Sequence, residues 1–519
     1  MCGFALITGA GAEPELFRAM LATLAPRGEV EEIRATNELM AGVWRLRIVD
    51  PARAEQPWVS PDGRLLLCFN GEIFNHRQLR SELLARGHRL RTTGDTEVLL
   101  TAFLEWREEA VEHLQGEYAF AVVERATGRV YLARDPLGVK PLYWSRRAGR
   151  LHLASEIKAL VPVGEPITEV PPGHHGWAEG GWPHLSSYLD LGRLGLDQPP
   201  VTDPDEAVKL LRAAFAESVR LRVDTDLPVG VVLSGGLDSS LVLAHVRQTR
   251  PDCVAFTIGA PGSPDLEYAR RITADLGVRH EVVELRPRDI RLADVREAVR
   301  LGELTEYGDI INAVVSVPLF RRVRDCGIRV VLTGDGSDEL FGGYPMYQEV
   351  PAEQSRALFL HRLRNLGRTE LQRVDRVSMG HGVEARVPFL DLALVELAMR
   401  MPAELKVRDG REKWILREAF ADLLPAYVRD RPKYGLSYSS GLHDRARLYK
   451  PTFPRLHRGF GYDLAEAVRR DFDSVLAACD NDLDRAIAEG IARQDYTLRE
   501  RARDVAGALR HNLPRIRRG

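Results

Sequence analysis

The chain has 519 residues, more than one ordinary hydrophobic core holds, so two or more domains are expected. Its 45% hydrophobic and 28% charged residues fit a globular protein, and a formal net charge of -2 argues against global attraction to nucleic acid or an anionic membrane. No apolar run is as long as a transmembrane helix, and the five cysteines (Cys2, Cys68, Cys253, Cys326, Cys479) form no CxxC pair, which speaks against a zinc site or a disulfide framework and for a reducing compartment.

The opening stretch, MCGFALITGAGAEPE, lacks a basic segment and a long apolar centre. No secretory signal is expected, and the cytoplasm is the expected location. Removal of the initiator Met would leave Cys2 with a thiol and a free α-amino group, whose ordinary pKa is roughly 7.7–8.0. Nucleophile and base would then share one residue. Read alone, Cys2 is an incidental cysteine beside the start. The residues after it, Gly3 to Ile7, read as a buried strand that would fix a nucleophile at the edge of a core.

Four further stretches follow: Arg45 to Asp50 (RLRIVD), Asn70 to His76 (NGEIFNH), Gly94 to Glu97 (GDTE) and Arg134 to Tyr143 (RDPLGVKPLY). Singly, Arg45 reads as a surface ion pair and Asn70-Gly71 as a hairpin turn. Jointly with Cys2 they resemble the class II glutamine amidotransferase domain, an N-terminal-nucleophile hydrolase with an αββα sandwich. The resemblance implies that Arg45 pairs with the glutamine carboxylate and that Asp95 faces its ammonium. It implies an oxyanion hole from the Asn70 side chain and the Gly71 backbone, and a further substrate contact from Glu72. The family commonly reads HRGPD where this chain has Pro26-Arg27-Gly28-Glu29-Val30, and HE where it has Val43-Trp44.

From Pro166 to about Pro204 the chain is rich in Gly and Pro and is expected to be a crossover and linker with little helix or strand. A helix capped by Asp203 or Asp205 is expected to run to Arg222. Val229–Leu233, Cys253–Ile258, Glu281–Leu285 and Arg329–Leu332 then read as strands alternating with helices, the pattern of a parallel sheet covered on both faces.

The first of these strands runs into Ser234-Gly235-Gly236-Leu237-Asp238-Ser239-Ser240 and then a helical run. A buried strand, a Gly-rich turn and a helix start hold phosphate, since glycines admit the anion and free N–H groups and hydroxyls donate to it. The loop is neither a Walker loop nor a GxGxxG turn. Asp238 inside it suggests Mg²⁺ bridging to phosphates. SGGLDSS resembles the pyrophosphate loop of the ATP pyrophosphatase synthetases, which implies cleavage of ATP to AMP and pyrophosphate. Thr333-Gly334-Asp335-Gly336-Ser337-Asp338 resembles the second ATP signature of that group. Asp338 would join Asp238 on Mg²⁺, and Leu233, Ile258, Thr333 and Gly334 would contact adenine and ribose.

Val374 to Met379 (VDRVSM), Gly382 to Asp391 (GVEARVPFLD), Lys413 to Arg417 (KWILR) and Arg431 to Gly435 (RPKYG) complete the pattern. Together with the amidotransferase motifs they resemble the glutamine-hydrolysing asparagine synthetases. By that resemblance Lys433 neutralises charge in adenylation, and Glu384 and Asp335 are catalytic. The family usually has Glu where Asp335 stands. It reads close to ETYDVTTIRAS where this chain has Glu306 to Ser316, EYGDIINAVVS.

The implied architecture is mixed α/β and α+β. Residues 1–185 form a glutaminase domain, 186–204 a linker, 205–450 a doubly wound parallel-sheet ATP pyrophosphatase domain, and 451–519 a helical extension. The implied activity is a glutamine-dependent amide-forming ligase using ATP and Mg²⁺, with L-aspartate as the default acceptor and another carboxylic acid as the alternative. Glutamine, ATP and the acceptor are the expected partners, without nucleic acid or membrane, and a homodimer is compatible with the sequence. A cyclase acting on its own amine would need no glutaminase, and a sensor with decayed catalysis would not keep Cys2, Asp238, Asp338 and Lys433.

Overall fold

A computed structural model describes residues 1–449 apart from 10, 12, 37, 305, 306 and 434. The expected helical extension 451–519 lies outside the described residues, as do Glu306 and Tyr434. Among the described residues no helix is long and apolar enough to cross a membrane.

The N-terminal half contains two antiparallel six-stranded sheets. The first is built from β1 (Cys2–Thr8), β2 (Val30–Ala35), β3 (Leu39–Arg45), β8 (Tyr143–Arg147), β9 (Arg150–Ala154) and β10 (Ile167–Glu169), in the order β10-β8-β9-β1-β3-β2. The second contains β4 (Trp58–Val59), β5 (Leu65–Ile73), β6 (Gly116–Glu124), β7 (Val130–Arg134), β11 (His174–Glu179) and β12 (Trp182–Ser187), in the order β12-β11-β7-β6-β5-β4.

Alternation along the strands explains the stacking. Phe4 and Leu6 share one apolar cluster with Leu66, Cys68, Ala119 and Ala121, which fills the space between the sheets. Their neighbours Leu67, Phe69, Phe120 and Val122 point the other way, onto the helices His76–Ala85 and Asp95–Trp106. The inner strands β1, β5 and β6 therefore bury both faces, and their sequences read as nearly unbroken apolar runs.

The expected strand-poor segment from Pro166 needs correction, because β10, β11 and β12 lie within it. Its glycines serve close approach. A Cβ on Gly176 would stand 2.0 Å from the carbonyl oxygen of His184 on the paired strand.

The C-terminal half is organised on a parallel five-stranded sheet of β13 (Val229–Val232), β14 (Val254–Gly259), β15 (Arg279–Glu284), β16 (Val330–Leu332) and β17 (Glu384–Arg386). The order is β15-β14-β13-β16-β17. The chain leaves β13 on one side and returns on the other as β16, so the loops after these two strands flank the crevice where such sheets bind ligands. The helix Pro204–Arg222 covers one face. Its cap is Asp203, whose carboxylate accepts from the Glu206 N–H at 2.8 Å.

The two halves share a core. Ala5, Ile7, Tyr143 and Ala154 on the outer face of the first sheet belong to the same apolar cluster as Val254, Phe256, Val331 and Ala385. Buried ionisable groups also meet across the halves, among them Arg27 and Asp375 (2.9 Å), Arg222 and Glu117 (3.2 Å) and Arg386 and Glu72 (3.3 Å).

Candidate active site

Two constellations assemble from the residues singled out in the sequence. The first gathers at the start of β1. Cys2 pairs with Arg45 across the β1–β3 ladder, and its backbone N–H donates to Asn70 Oδ1 at 3.2 Å. Asn70 Nδ2 is buried and has no hydrogen-bond partner, so one amide donor stays free beside the thiol. Gly71 follows on β5 where a Cβ would sit 2.3 Å from Glu117 O and 2.6 Å from Tyr118 Cα, a contact only glycine avoids. Burial pushes the Cys2 thiol above its ordinary value, opposed by the N-terminal ammonium and Arg45.

Arg45 makes its ion pair with Glu32 at 3.3 Å. Asp95 opens its helix and accepts from the Ile73 N–H at 3.2 Å. Burial raises the Asp95 carboxyl, and burial together with Asp95 raises that of Glu72 well above the carboxylate range. Met1 is 3% exposed, and its ammonium lies 3.2 Å from Glu384. Burial disfavours that ammonium, but Glu384, Glu72 and Asp95 hold its pKa above the usual value. The N-terminal amine therefore stands amid the acids expected to receive an α-ammonium.

Two residues here escaped sequence reasoning. Arg27 sits in the stretch that reads as a departure from HRGPD. Its fully buried guanidinium donates to Cys2 O at 3.0 Å, to Glu156 at 2.7 Å and to Asp375 at 2.9 Å. Gln56 donates from Nε2 to Cys2 Sγ at 3.5 Å, while its Oε1 accepts from the Phe69 N–H at 2.9 Å. The buried polar type is their only sequence signal.

The second constellation lies after β13 and β16. The helix that follows the first loop begins at Leu237, which puts Asp238, Ser239 and Ser240 in its first turn. Gly235 has φ +70°, and a Cβ there would meet Ala269 N at 2.6 Å. Ser234 N–H donates to Ser239 Oγ at 3.1 Å, and Gly236 N–H to Ser234 Oγ at 3.3 Å, so the hydroxyls shape the loop. Gly334 in the second loop lets the two loops touch: its Cβ would stand 3.0 Å from both Asp238 Cβ and Ser239 N. Leu233 and Ile258 are buried at the ends of β13 and β14. The hydroxyls of Ser240 and Thr333 are buried without partners, which leaves donors available at this crevice.

Asp238 and Asp338, the two acids expected on a metal, come together around lysines. Lys413 Nζ contacts both Asp238 oxygens at 2.7 Å and Asp338 Oδ1 at 2.6 Å. Lys433 Nζ contacts Asp338 Oδ2 at 2.6 Å and Asp238 Oδ2 at 3.7 Å. Lys433 is partly open to solvent; desolvation by the groups packed around it opposes its ammonium, yet Asp338 and Asp238 hold its pKa above the lysine range. Burial likewise opposes the Asp338 carboxylate, and the two lysines keep it ionised. Lys413 was visible only as part of a matching string; its place between the acids was not. The cavity beside these groups is about 30 Å³ and is also lined by Ser234, Arg417 and Arg431.

Asp335 stands apart from that cluster, as the acceptor at 2.9 Å of a bond from Arg373. Arg373 also lies 3.5 Å from Asp309, whose carboxyl is pushed up to about 7 by burial and Glu370. The two stretches that depart from the family pattern thus meet at one buried guanidinium. Glu384 makes its ion pairs with the N-terminus and, at 2.5 Å, with Arg386. Burial disfavours its charge, but Arg386 and the N-terminal ammonium bring its pKa down to about 2.

Among the described residues no group of three His, Cys, Asp or Glu could hold a metal ion. Asp238 and Asp338 do fit Mg²⁺ in the manner it favours, through one or two carboxylates plus waters and phosphates. Lysine charge concentrates on both acids, with Lys413 Nζ 2.6 Å from Asp338 Oδ1 and 2.7 Å from Asp238 Oδ2, so a cation there would share them with Lys413.

Comparison with known proteins agrees with both halves. A family model described as a glutamine amidotransferase domain matches residues 1–172, and one described as asparagine synthase matches residues 210–360 and 350–456. The chain is 35% identical over 432 residues to asparagine synthetase B [glutamine-hydrolyzing] of Escherichia coli, covering 79% of this chain and 76% of that one. It is 36% identical over 436 residues to asparagine synthetase [glutamine-hydrolyzing] 2 of Arabidopsis thaliana, covering 78% and 73%. A probable asparagine synthetase of Schizosaccharomyces pombe is 34% identical over 406 residues, covering 72% and 71%.

Proposed function

The chain belongs to the glutamine-hydrolysing asparagine synthetase family, and from that premise we propose that it makes L-asparagine from L-aspartate, glutamine and ATP. It is a glutamine-dependent amide-forming ligase. In our reading residues 1–185 hydrolyse glutamine, 186–204 link the halves, and 205–450 carry out synthesis.

Removal of Met1 frees the α-amine of Cys2 and clears the acid group of Glu72, Asp95 and Glu384 for the substrate ammonium. Arg45 exchanges Glu32 for the substrate carboxylate. The Cys2 thiol gives its proton to the α-amine and its sulfur bonds to the carboxamide carbon, with the oxyanion held by Asn70 Nδ2 and the Gly71 N–H. The Cys2 α-ammonium returns its proton to the amide nitrogen, the tetrahedral adduct expels ammonia and leaves the thioester, and water then cleaves the thioester to glutamate and the free thiol. In the second half a carboxylate oxygen of the acceptor bonds to the α-phosphorus of ATP and pyrophosphate leaves. Ammonia attacks the acyl carbon, AMP departs, and Asp335 is the base we assign to take the excess proton. Lys413 and Lys433 lie where the pyrophosphate charge collects, with Ser234, Gly236 and Ser239 donating to its oxygens. Asp238 and Asp338 would hold Mg²⁺, which when bound would further neutralise that charge. We place the enzyme in the cytoplasm.

The observation that carries the ligase reading is the convergence of Lys413 and Lys433 on Asp238 and Asp338 from four separate segments. A second reading, the same chemistry on another carboxylic acid, is favoured by Arg373, which joins the two divergent stretches through Asp309 and Asp335. Pyrophosphate release from ATP, with ammonia supplied and a panel of carboxylic acids compared, decides between them. Aspartate is expected to give the highest rate. No response to aspartate alongside a response to another acid overturns the assignment.

A further inference from the structure

A cavity of about 510 Å³ opens between the segment 195–200, the helix Ala352–Asn365 and the turn around Ala403–Lys406. Its volume is in the range of small-molecule sites. It shares no lining residue with the nucleotide crevice. Its walls are largely apolar: Leu196, Phe359, Met399, Met401 and Pro402.

One polar side chain in this wall is out of place. Lys406 is 2% exposed, lines the cavity, and finds no carboxylate or hydrogen-bond acceptor among the described residues. Its ammonium rests over the Phe359 ring, 3.8 Å from the centroid. A cation–π contact compensates only part of the cost of burying a charge.

The other cations of the wall already donate to neutral oxygens. Arg356 donates to the carbonyls of Met399 (2.8 Å), Gly192 (3.2 Å) and Leu194 (3.0 Å). Arg400 donates to Pro199 O (2.9 Å) and Gln198 Oε1 (2.8 Å). Neither of those bonds ends on an anion. Glu404 is the acid of the lining, and it is exposed to solvent.

We propose that this cavity is a binding site for a small amphipathic monocarboxylate, its carboxylate on Lys406 Nζ and its apolar body against Phe359, Met399 and Met401. A single charge is favoured because a single buried cation, Lys406, lacks a partner, whereas Arg356 and Arg400 are already tied to backbone and amide oxygens. The apolar walls ask for more than a bare anion. Burial and the nearby Arg356 bring the Lys406 pKa down to about 7. Filling the site restores the ammonium form, so binding takes up a proton in mildly alkaline buffer.

Octanoate is the probe, titrated calorimetrically into the full chain at pH 8 in two buffers of different ionisation heat. Binding of one octanoate per chain at sub-millimolar concentration is expected, with proton uptake. Octylammonium, with the same tail and opposite charge, and inorganic phosphate, an anion without a body, are expected not to bind at those concentrations. Lys406→Met is expected to weaken octanoate at least about tenfold and to abolish the proton uptake, since a charge-assisted hydrogen bond contributes on that scale. Glutamate release from glutamine by the same variant monitors its folding. Met401→Trp, which fills the cavity from another wall, is expected to block binding with Lys406 intact. Equal octanoate affinity in wild type and Lys406→Met, equal binding of octylammonium, or no saturable binding to a folded wild type overturns the proposal.

Discussion

Gly343 tests the acid–lysine cluster at its tightest point. A Cβ built on Gly343 falls 1.8 Å from Asp338 Oδ1 and 2.5 Å from Lys413 Cε. Side-chain carbons do not approach closer than 3.0 Å, so Gly343→Ala displaces that oxygen by at least about 1.2 Å, the difference between the two distances. The oxygen that moves is the one Lys413 holds at 2.6 Å. Gly343 is absent from the glycines with positive φ, so alanine meets no backbone penalty and the effect is confined to the cluster. Overpacking of this kind costs about 1–3 kcal/mol, which the fold tolerates. A misplacement near 1 Å in a charge-stabilising group costs about 10²-fold in rate. Gly343→Ala is therefore expected to lower ammonia-dependent pyrophosphate release about 10²-fold while glutamate release from glutamine stays at the wild-type rate. A folded variant whose synthetase rate lies within about threefold of wild type would refute the cluster's role, since a shift of this size cannot leave a working charge clamp intact.

Three further expectations follow from the geometry. Cys2→Ala should abolish glutamate release and glutamine-dependent synthesis but keep synthesis from added ammonia; loss of the ammonia-dependent rate in a folded variant contradicts two separate sites. Lys433→Met should cut the synthetase rate about 10²–10³-fold with glutaminase unchanged, as for loss of one charge-stabilising donor, and the pyrophosphate assay reads it directly. Burial, with Glu370 and Asp338, pushes the Glu339 carboxyl from 4.5 up to about 8, so its stabilising contribution is complete below 4.5 and is lost as pH rises through about 8. Glu339→Gln should flatten the fall of unfolding temperature between about pH 5 and 8.5, and parallel curves for the two proteins would exclude Glu339 as the cause.

What the sequence exposes depends on how local the cause is. The Asp203 cap acts on Glu206 three residues away, so the start of its helix is legible. Four of the five parallel strands are legible as short apolar runs, and β13, β14 and β16 are buried along nearly all their length, whereas β17 (Glu384–Arg386) is too short and too charged to read as a strand. Cys2, Asn70 and Asp238 stand inside strings whose backbone requirements, a glycine here and a strand end there, leave a mark in the residues beside them. Lys413 leaves none, since the partner that fixes it, Asp238, is 175 positions away. Arg27 is the stronger case. It looks like the residue of a broken motif, yet Asp375, 348 positions later, makes it the hub beneath the nucleophile. The hairpin of β11 and β12 was hidden for the opposite reason. Its Gly and Pro content answers to a strand neighbour packed against Gly176, and local composition alone reads it as linker.

The buried charges between the halves bear on how the two reactions are kept in step. Arg27 joins Cys2 O to Asp375, Lys140 lies 3.6 Å from Asp375 and 3.3 Å from Glu117, and Arg222 joins Glu117 to Asp391. Ion pairs this dry repay their desolvation poorly, and apolar residues of similar volume would hold the halves together as well. Their value lies in register: displacing one half against the other leaves charges unpaired in a dry interface, so intermediate placements are costly. The nucleophile strand is tied by this chain to the helix Glu370–Met379, which carries both Asp375 and Arg373. Arg373 in turn reaches Asp335 and Asp309, where the acceptor is expected. A rotation of that one helix therefore reaches the backbone of Cys2 through Asp375 and the acceptor side through Arg373. One helix thus carries both the residue that holds Arg27 beneath Cys2 and the residue that holds Asp335 and Asp309.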